Sequence, residues 1–347
     1  MNVPLSPFSG GQESPGFRRG EVQNHPACYF PLINGRYEVK PGMMPFGCCL
    51  GNGEADQQVF QIDDHFSHYH QHKILARGES LSKYYQTCNY SQTVAGAIAC
   101  LIIERLTLEH PQYFDCQKTA NTLKFHSRLT QETLYLNADW QLQQVQSSSV
   151  IPSYVSTLDA LAAQIQEDIT VISRTGDGSN WLSAVHLCYP NHWSAEVKIG
   201  KNFAAIHAPV AGMEKINLRG DAIVNTMIEQ KPMVRFAWGL STDTRLNHHP
   251  QPALGVSVNQ WQGRSFDPQN PQLYLRIERQ VIWGLPKYET ALFTIRTYFK
   301  DCGVLKQDPV LRSKLCAAIE SMTSPSLIYK GLLESKASIL HWLKCLG

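Results

Sequence analysis

The chain has 347 residues, a hydrophobic share of 43%, a charged share of 17% and a formal net charge of +2 at pH 7. That length suits one large domain or two smaller ones, and the apolar share is ample for a packed core, which excludes a disordered or coiled-coil chain. The near-neutral balance, with no Lys/Arg stripe interleaved with aromatics, excludes a nucleic-acid partner.

Residues 1–24, rich in Pro, Gly and Ser, read as a flexible, turn-rich arm, and no apolar core of a signal peptide occurs there. From Pro26 to Gly53, short apolar pieces between Gly and Pro read as an extended segment wrapping a core. The longest apolar run, Val94 to Ile103, stops at Glu104 and is too short to span a bilayer, so it reads as a buried helix. No membrane association and a cytoplasmic location are therefore expected. The ten cysteines form no CxxC pair, so neither a zinc ribbon nor a ferredoxin cluster has its usual spacing, and free thiols are expected.

Helical periodicity runs through Tyr84, Val94, Ile98, Leu101, Ile102 and Leu106. Thr119 to Asn137 holds short amphipathic pieces of ambiguous type. Ser156-Thr157-Leu158-Asp159 resembles a capping box, and Leu158, Leu161, Ala162, Ile165 and Ile169 make one apolar helix face. Strands follow. Ile169–Ser173 and Trp181–Tyr189 flank the turn Thr175-Gly176-Asp177-Gly178 as a hairpin. Met233–Ser241, Leu273–Leu285 and Ala291–Phe299 add three more, the last two joined through Lys287-Tyr288-Glu289. Two helices close the chain, one capped by Asp308 with Pro309 at its first position, the other after Pro325. Helices, then an antiparallel sheet, then helices make an α+β plan, read as a single domain over residues 25–347.

Common catalytic signatures are missing. Gly51-Asn52-Gly53 lacks the third glycine and preceding strand of a dinucleotide fingerprint, and there is no Walker loop, GxSxG elbow or HExxH. His65, His68, His70 and His72 cluster in HFSHYHQH, where His65 and His68, or His68 and His72, would share a helix face. A polar helix start is the plainer reading, because no carboxylate or cysteine in register completes a metal site.

Two features carry more. His207 lies between the apolar run Phe203-Ala204-Ala205-Ile206 and Ala208-Pro209-Val210, so its backbone is stiffened by proline. On this segment alone, a core histidine satisfied by a backbone carbonyl is the plainer reading, and a metal or haem-iron ligand is the alternative. In the strand 273–285, Leu275, Ile277, Arg279 and Val281 share one face, and Arg276, Glu278 and Gln280 the other. An arginine on an apolar face needs an anionic partner. Arg279 and Arg235, the latter between Val234 and Phe236, therefore suit either a cofactor's anionic groups or structural ion pairs, such as Arg279 with Glu289.

These residues also carry a resemblance. VFQIDDHFSHYHQHK (59–73), YPNHWSAEVKIGKNFAAIHAPV (189–210), VRFAWGL (234–240), RIERQVIWGLP (276–286) and ALFTIRTYF (291–299) occur together and in order. Together they resemble the haem-dependent oxidative N-demethylase family, over a span from about residue 40 to about residue 335. The resemblance implies a PAS-like antiparallel sheet with helices around it, a haem b held by a histidine, and oxygen activation that removes a methyl group from a small amine as formaldehyde. It gives the axial-ligand role to His207 of the IHxPV motif. His192, in PNHW, is a rival that fits less well, because the family more often has a small polar residue there.

The resemblance further places Trp193 and Lys198 among the cofactor contacts, Lys198 pairing with a propionate or capping the turn before Gly200. Arg235, Glu278 and Arg279 would line the haem pocket or its distal side. Two departures stand out: Ala237 before Trp238, where the family often has Asn, and the histidine-rich 65–72, where only Tyr69 and Lys73 look family-like. The chain has no flavin, nicotinamide or iron–sulfur motif, so electrons would come from separate proteins, in the family a flavin reductase with a ferredoxin-type centre. A haem-based PAS-type sensor without turnover is the alternative. The lack of a fused output domain after the sheet favours an enzyme. A relative that has lost haem is a third reading.

Overall fold

The computed structural model describes residues 27–32, 34–119, 121–253, 256–257 and 265–346. The expected arm at residues 1–24 lies outside them. The fold is mixed α and β, with antiparallel sheets and surrounding helices, as the order of patterns predicts.

The short strand β1 (Met44–Pro45) precedes two helices, α1 (Phe66–Tyr84), which is kinked at Ser80, and α2 (Gln92–Glu109), with the short strand β2 (Tyr85–Thr87) between them. The Ser91 hydroxyl caps α2 by accepting from the Val94 amide at 3.3 Å. The ambiguous stretch after it folds into a four-stranded meander, β3 (Phe114–Lys118), β4 (Thr122–Ser127), β5 (Glu132–Asn137) and β6 (Leu142–Gln146). Its alternating Leu123, Phe125, Leu134 and Leu136 join Ile98, Ile102 and Leu106 of α2 in one apolar cluster.

Ser156 caps α3 (Thr157–Ala162), its hydroxyl accepting from the Asp159 amide at 3.1 Å. The helix is shorter than its apolar period predicts. The Lys73 ammonium donates to the carbonyls of Ala162 (2.7 Å) and Glu167 (2.5 Å), and by Ile169 the chain is already in a strand.

The second sheet has seven strands in the order β1-β9-β10-β11-β7-β8-β2, every pair antiparallel. Its main strands are β7 (Asp168–Arg174), β8 (Asn180–His186), β9 (Met233–Ser241), β10 (Tyr274–Leu285) and β11 (Thr290–Asp301), close to the sequence reading. Between β8 and β9 come α4 (Ala195–Lys198), α5 (Phe203–His207), α6 (Glu214–Asn217) and α7 (Gly220–Glu229). Helix α7 lies so close to the sheet that a Cβ on Gly284 would sit 2.1 Å from the Ile228 carbonyl oxygen. Only a glycine allows that approach. Three helices end the chain where the pattern predicts two: α8 (Pro309–Glu320), α9 (Ser324–Tyr329) and α10 (Lys336–Cys345). Among the described residues no helix is long and apolar enough to cross a membrane.

Candidate functional site

A cavity of about 680 Å³ lies between one face of the seven-stranded sheet, helices α4 to α7 and the segments 29–31 and 34–44. Its size suits a cofactor or a drug-sized ligand. One part of the wall is apolar, with Ile172, Leu182, Phe203, Ile206, Met227 and Phe293. The cavity also collects His207, Trp193, Lys198, Arg235 and Glu278, which the sequence reading singles out from three separate motifs.

His207 ends the short helix α5, which begins where Asn202 Oδ1 accepts from the Ala205 amide at 2.8 Å. One turn back, the Phe203 carbonyl lies 2.8 Å from His207 Nδ1, and the two rings sit 4.2 Å apart. A carbonyl can only accept, so Nδ1 carries the proton and the lone pair is on Nε2. Burial pushes the imidazole down to about 4, against the Phe203 carbonyl, which favours the protonated form. His207 is therefore neutral at pH 7 with its lone pair on Nε2, so the carbonyl bond at Nδ1 is compatible with a ligand role at the other nitrogen.

Lys198 does not cap the turn before Gly200. Its ammonium donates to the Ile206 carbonyl, tying α4 to α5, and burial lowers its pKa. The charge of Lys198, like that of Arg235, bears on His207.

Arg235 is cross-strand partner to Gln280, and Ala237 to Glu278. All four line the cavity, so β9 and β10 present a guanidinium, an amide, a carboxylate and a methyl group side by side. The guanidinium has one long contact, Nη2 to the Lys40 carbonyl at 3.5 Å, and its Nε is buried without a partner. Burial lowers the Arg235 pKa, against the raising effect of Glu278. A half-buried guanidinium left this way, with its Nε shielded from solvent, fits an anionic group of a ligand. Of the two carboxylates at the cavity, Glu38 is held by Lys40 (2.6 Å) and Asn34 (3.1 Å), whereas Glu278 accepts from Gln280 Nε2 at 2.9 Å.

Arg279 corrects the expectation. It pairs with Phe236, projects through the opposite face of the sheet and does not line the cavity. Its Nη2 donates to the backbone carbonyls of Gln58 (2.9 Å) and Asp56 (3.4 Å), and its charge acts on Glu167. It is a structural arginine, though not through Glu289, which binds Arg174 at 2.5 Å. His192 is also elsewhere: it stacks on His248 at 5.2 Å and is not part of the cavity wall.

In the histidine-rich segment the expected shared face of His68 and His72 is present. The His68 and His72 rings lie 4.5 Å apart on α1, while His70 Nδ1 bonds the Ala163 carbonyl at 3.0 Å. Among the described residues, Asp168, His186 and Cys188 bring metal-ligating atoms within 4.8 Å of one another, away from the cavity. That cluster is occupied by the fold: the Asp168 carboxylate accepts the amides of Cys188 and Tyr189, both at 2.8 Å, with the Lys73 charge beside it.

The sequence reading passes over Gln280, although period two already places it on the face of Glu278. It expects 26–53 to wrap a core, and Ala27, Tyr29 and Leu32 do join an apolar cluster, but it does not foresee that residues between Asn34 and Met44 wall the cavity.

The donor set of a neutral histidine, an unpaired guanidinium and an apolar wall fits an anionic, iron-bearing macrocycle, and the comparison with known families points the same way. The model for haem-dependent oxidative N-demethylase, alpha subunit-like, matches residues 52–340 and so contains His207, Arg235 and Glu278. That description names a haem-dependent oxidative enzyme and one subunit of a larger assembly. The chain belongs to the haem-dependent oxidative N-demethylase alpha subunit-like family.

Proposed function

We propose that the chain binds one haem b in this cavity, that His207 would hold its iron through Nε2, and that the chain oxidatively removes a methyl group from a small amine. The observation that carries this reading is the His207 imidazole, locked by the Phe203 carbonyl and kept neutral beside an unpaired Arg235. Haem, when bound, supplies the redox chemistry by which oxygen is reduced and the amine oxidised.

The remaining tasks fall to the chain. Arg235 and Lys198 offset the propionate charges, and Trp193, Ile206 and Phe203 keep the site dry. Glu278 accepts an N–H of the amine in its ammonium form and orients its methyl group. Overall, a secondary methylamine, oxygen, two electrons and two protons give a primary amine, formaldehyde and water. We assign the electrons to separate flavin-reductase and ferredoxin-type proteins, consistent with a family named for an alpha subunit. We also read the strands β8-β7-β11-β10-β9, which follow the order 2-1-5-4-3 with helices between the second and third, as a PAS-like core within residues 25–347.

The test is an optical spectrum of the purified chain, with and without dithionite and carbon monoxide, followed by an assay for formaldehyde with small methylated amines and a reductant. A histidine-ligated haem spectrum and amine-dependent formaldehyde support the reading. A colourless chain that takes up no added haem refutes it.

A further inference from the structure

Arg235 and Glu278 stand on adjacent cavity-facing rungs of β9 and β10, one diagonal step apart, well within reach of two long side chains. Opposite charges on neighbouring rungs of one half-buried face are placed to attract each other. Here they do not pair. The Glu278 carboxylate takes the amide N–H of Gln280 at 2.9 Å, and Arg235 keeps its Nε unpartnered. Gln280 is 7% exposed and occupies the rung directly opposite Arg235. It is the side chain that gives the carboxylate a donor without neutralising it.

We propose that Gln280 is a positioning residue: it holds Glu278 away from Arg235, so that one cavity carries a separated negative and positive charge. Separation lets Glu278 meet an ammonium while Arg235 meets an anion. A collapsed pair would serve neither, because each charge would already be neutralised. An amide is suited to this task, since a glutamate at position 280 would bring a second negative charge to the same rung and a leucine would offer no donor. The side of the carboxylate facing Ala237 has only a methyl group opposite it, which leaves room for small N-alkyl groups beside the bound ammonium. The expected ligand at Glu278 is therefore a compact protonated amine with at least one N–H. The amine part of this inference rests on the function proposed above; the separation of the two charges does not.

The experiment uses the haem-replete protein with Gln280→Met, which preserves length and removes the donor, and Gln280→Asn, which keeps an amide too short to reach the carboxylate. Dimethylammonium is titrated by the shift of the haem absorption band, kcat and KM are measured with a chemical reductant, and the Gln280→Met crystal structure is determined. With haem kept saturating, expected are a rise of about tenfold or more in both the dissociation constant and KM with a much smaller change in kcat, an Arg235–Glu278 pair in the crystal, and faster haem loss, since Arg235 is then drawn off its anion. Gln280→Asn should behave likewise, which keeps the comparison available if Gln280→Met folds poorly. Unchanged amine affinity in both variants, or a crystal structure with the charges still apart, overturns the proposal. Wild-type protein that binds haem but no amine defeats the proposed substrate instead, and the crystal structure then still decides whether Gln280 separates the charges.

Discussion

Arg235 and Gln280 face each other across β9 and β10, whereas Arg279, one residue further back on β10, pairs with Phe236 and leaves the sheet on its other side. The two arginines that look equivalent in the sequence thus have different duties. One is left with an unpartnered Nε at the cavity; the other holds the 56–58 backbone by its carbonyls.

Replacing His207 by alanine should abolish haem binding or its histidine-ligated spectrum, with the far-UV signal of the fold preserved. His192→Ala should keep both, because His192 stacks on His248 outside the cavity wall. The measurement is haem content and the absorption band of each variant. A wild-type band in His207→Ala, together with its loss in His192→Ala, reverses the assignment.

The two arginines should separate experimentally. Arg235→Leu removes a charged donor from the cavity and should weaken haem retention by about 10- to 100-fold, the equivalent of ~1.5–3 kcal/mol for a charge-assisted hydrogen bond. Arg279→Leu should leave haem per folded molecule unchanged but lower stability by ~1–3 kcal/mol for each buried carbonyl left unpaired, at Asp56 and Gln58. Haem dissociation rates and denaturant midpoints distinguish the two. Equal haem loss in both variants would contradict the division of roles.

How far this was legible in the sequence depends on what period two can report. It correctly separates Arg279 from Glu278 and Gln280, but it cannot say which face borders a cavity when both faces are buried. Strand β10 is buried along most of its length, so the apolar side of Arg279 drew attention while the cavity lay on the other. The long strands at 233–241, 274–285 and 290–301 and the caps at Ser156 and Asp308 were readable because alternation and capping are local. The meander at 114–146 was less so. Its strands have only five or six residues each, and what identifies them is packing against α2, which no local window contains. His207 was recognisable from its motif, but its tautomer depends on the Phe203 carbonyl, which becomes visible only once α5 is known to be helical.

Ala237 should act as a gate on substrate size. It stands opposite Glu278 at the cavity, where a side chain adds volume next to the carboxylate. Ala237→Leu should lower kcat/KM for a small methylamine by about tenfold or more and penalise longer N-alkyl chains further, in keeping with the worth of a methylene in a fitted pocket. A series of N-methylalkylamines measures this. Equal losses across the series would place the substrate elsewhere.

Glu167 makes a pH prediction. It is fully buried, and burial raises its carboxyl to about 7 against the lowering charges of Arg296, Lys73 and Arg279. Oε1 accepts from the Gln61 amide at 2.8 Å, whereas Oε2 has no partner. The folded protein therefore binds a proton that the unfolded chain, with an ordinary value of 4.5, gives up more readily. The resulting stabilisation is full below that ordinary value and is lost as pH rises to about 7. Asp168, raised by burial to about 6, acts in the same direction at lower pH. Glu167→Gln should flatten the fall in unfolding midpoint between pH 4.5 and about 7, the window between the ordinary and the raised value of its carboxyl. An unchanged slope would show that the carboxyl titrates normally.

The last prediction concerns the source of electrons. Gly51-Asn52-Gly53 is the nearest approach to a phosphate-binding turn, but Asp56 Oδ2 already accepts the Asn52 amide at 3.1 Å and that of the preceding Leu50 at 2.7 Å. A carboxylate at the centre of that loop repels a phosphate instead of receiving one. The ten cysteines offer no cluster spacing, and the described group of metal-ligating residues includes only one of them, Cys188. On the proposed function, electrons for a haem held by His207 would therefore come from a separate protein. NADPH or NADH alone should give no formaldehyde with haem-replete protein and a small methylated amine. Adding a flavin reductase with a ferredoxin, or a chemical reductant in the presence of oxygen, should restore it. Formaldehyde release driven by NADPH with the single purified chain would refute the need for a partner. Activity with added reductant on a scaffold other than an amine would leave that need intact and overturn the substrate class alone.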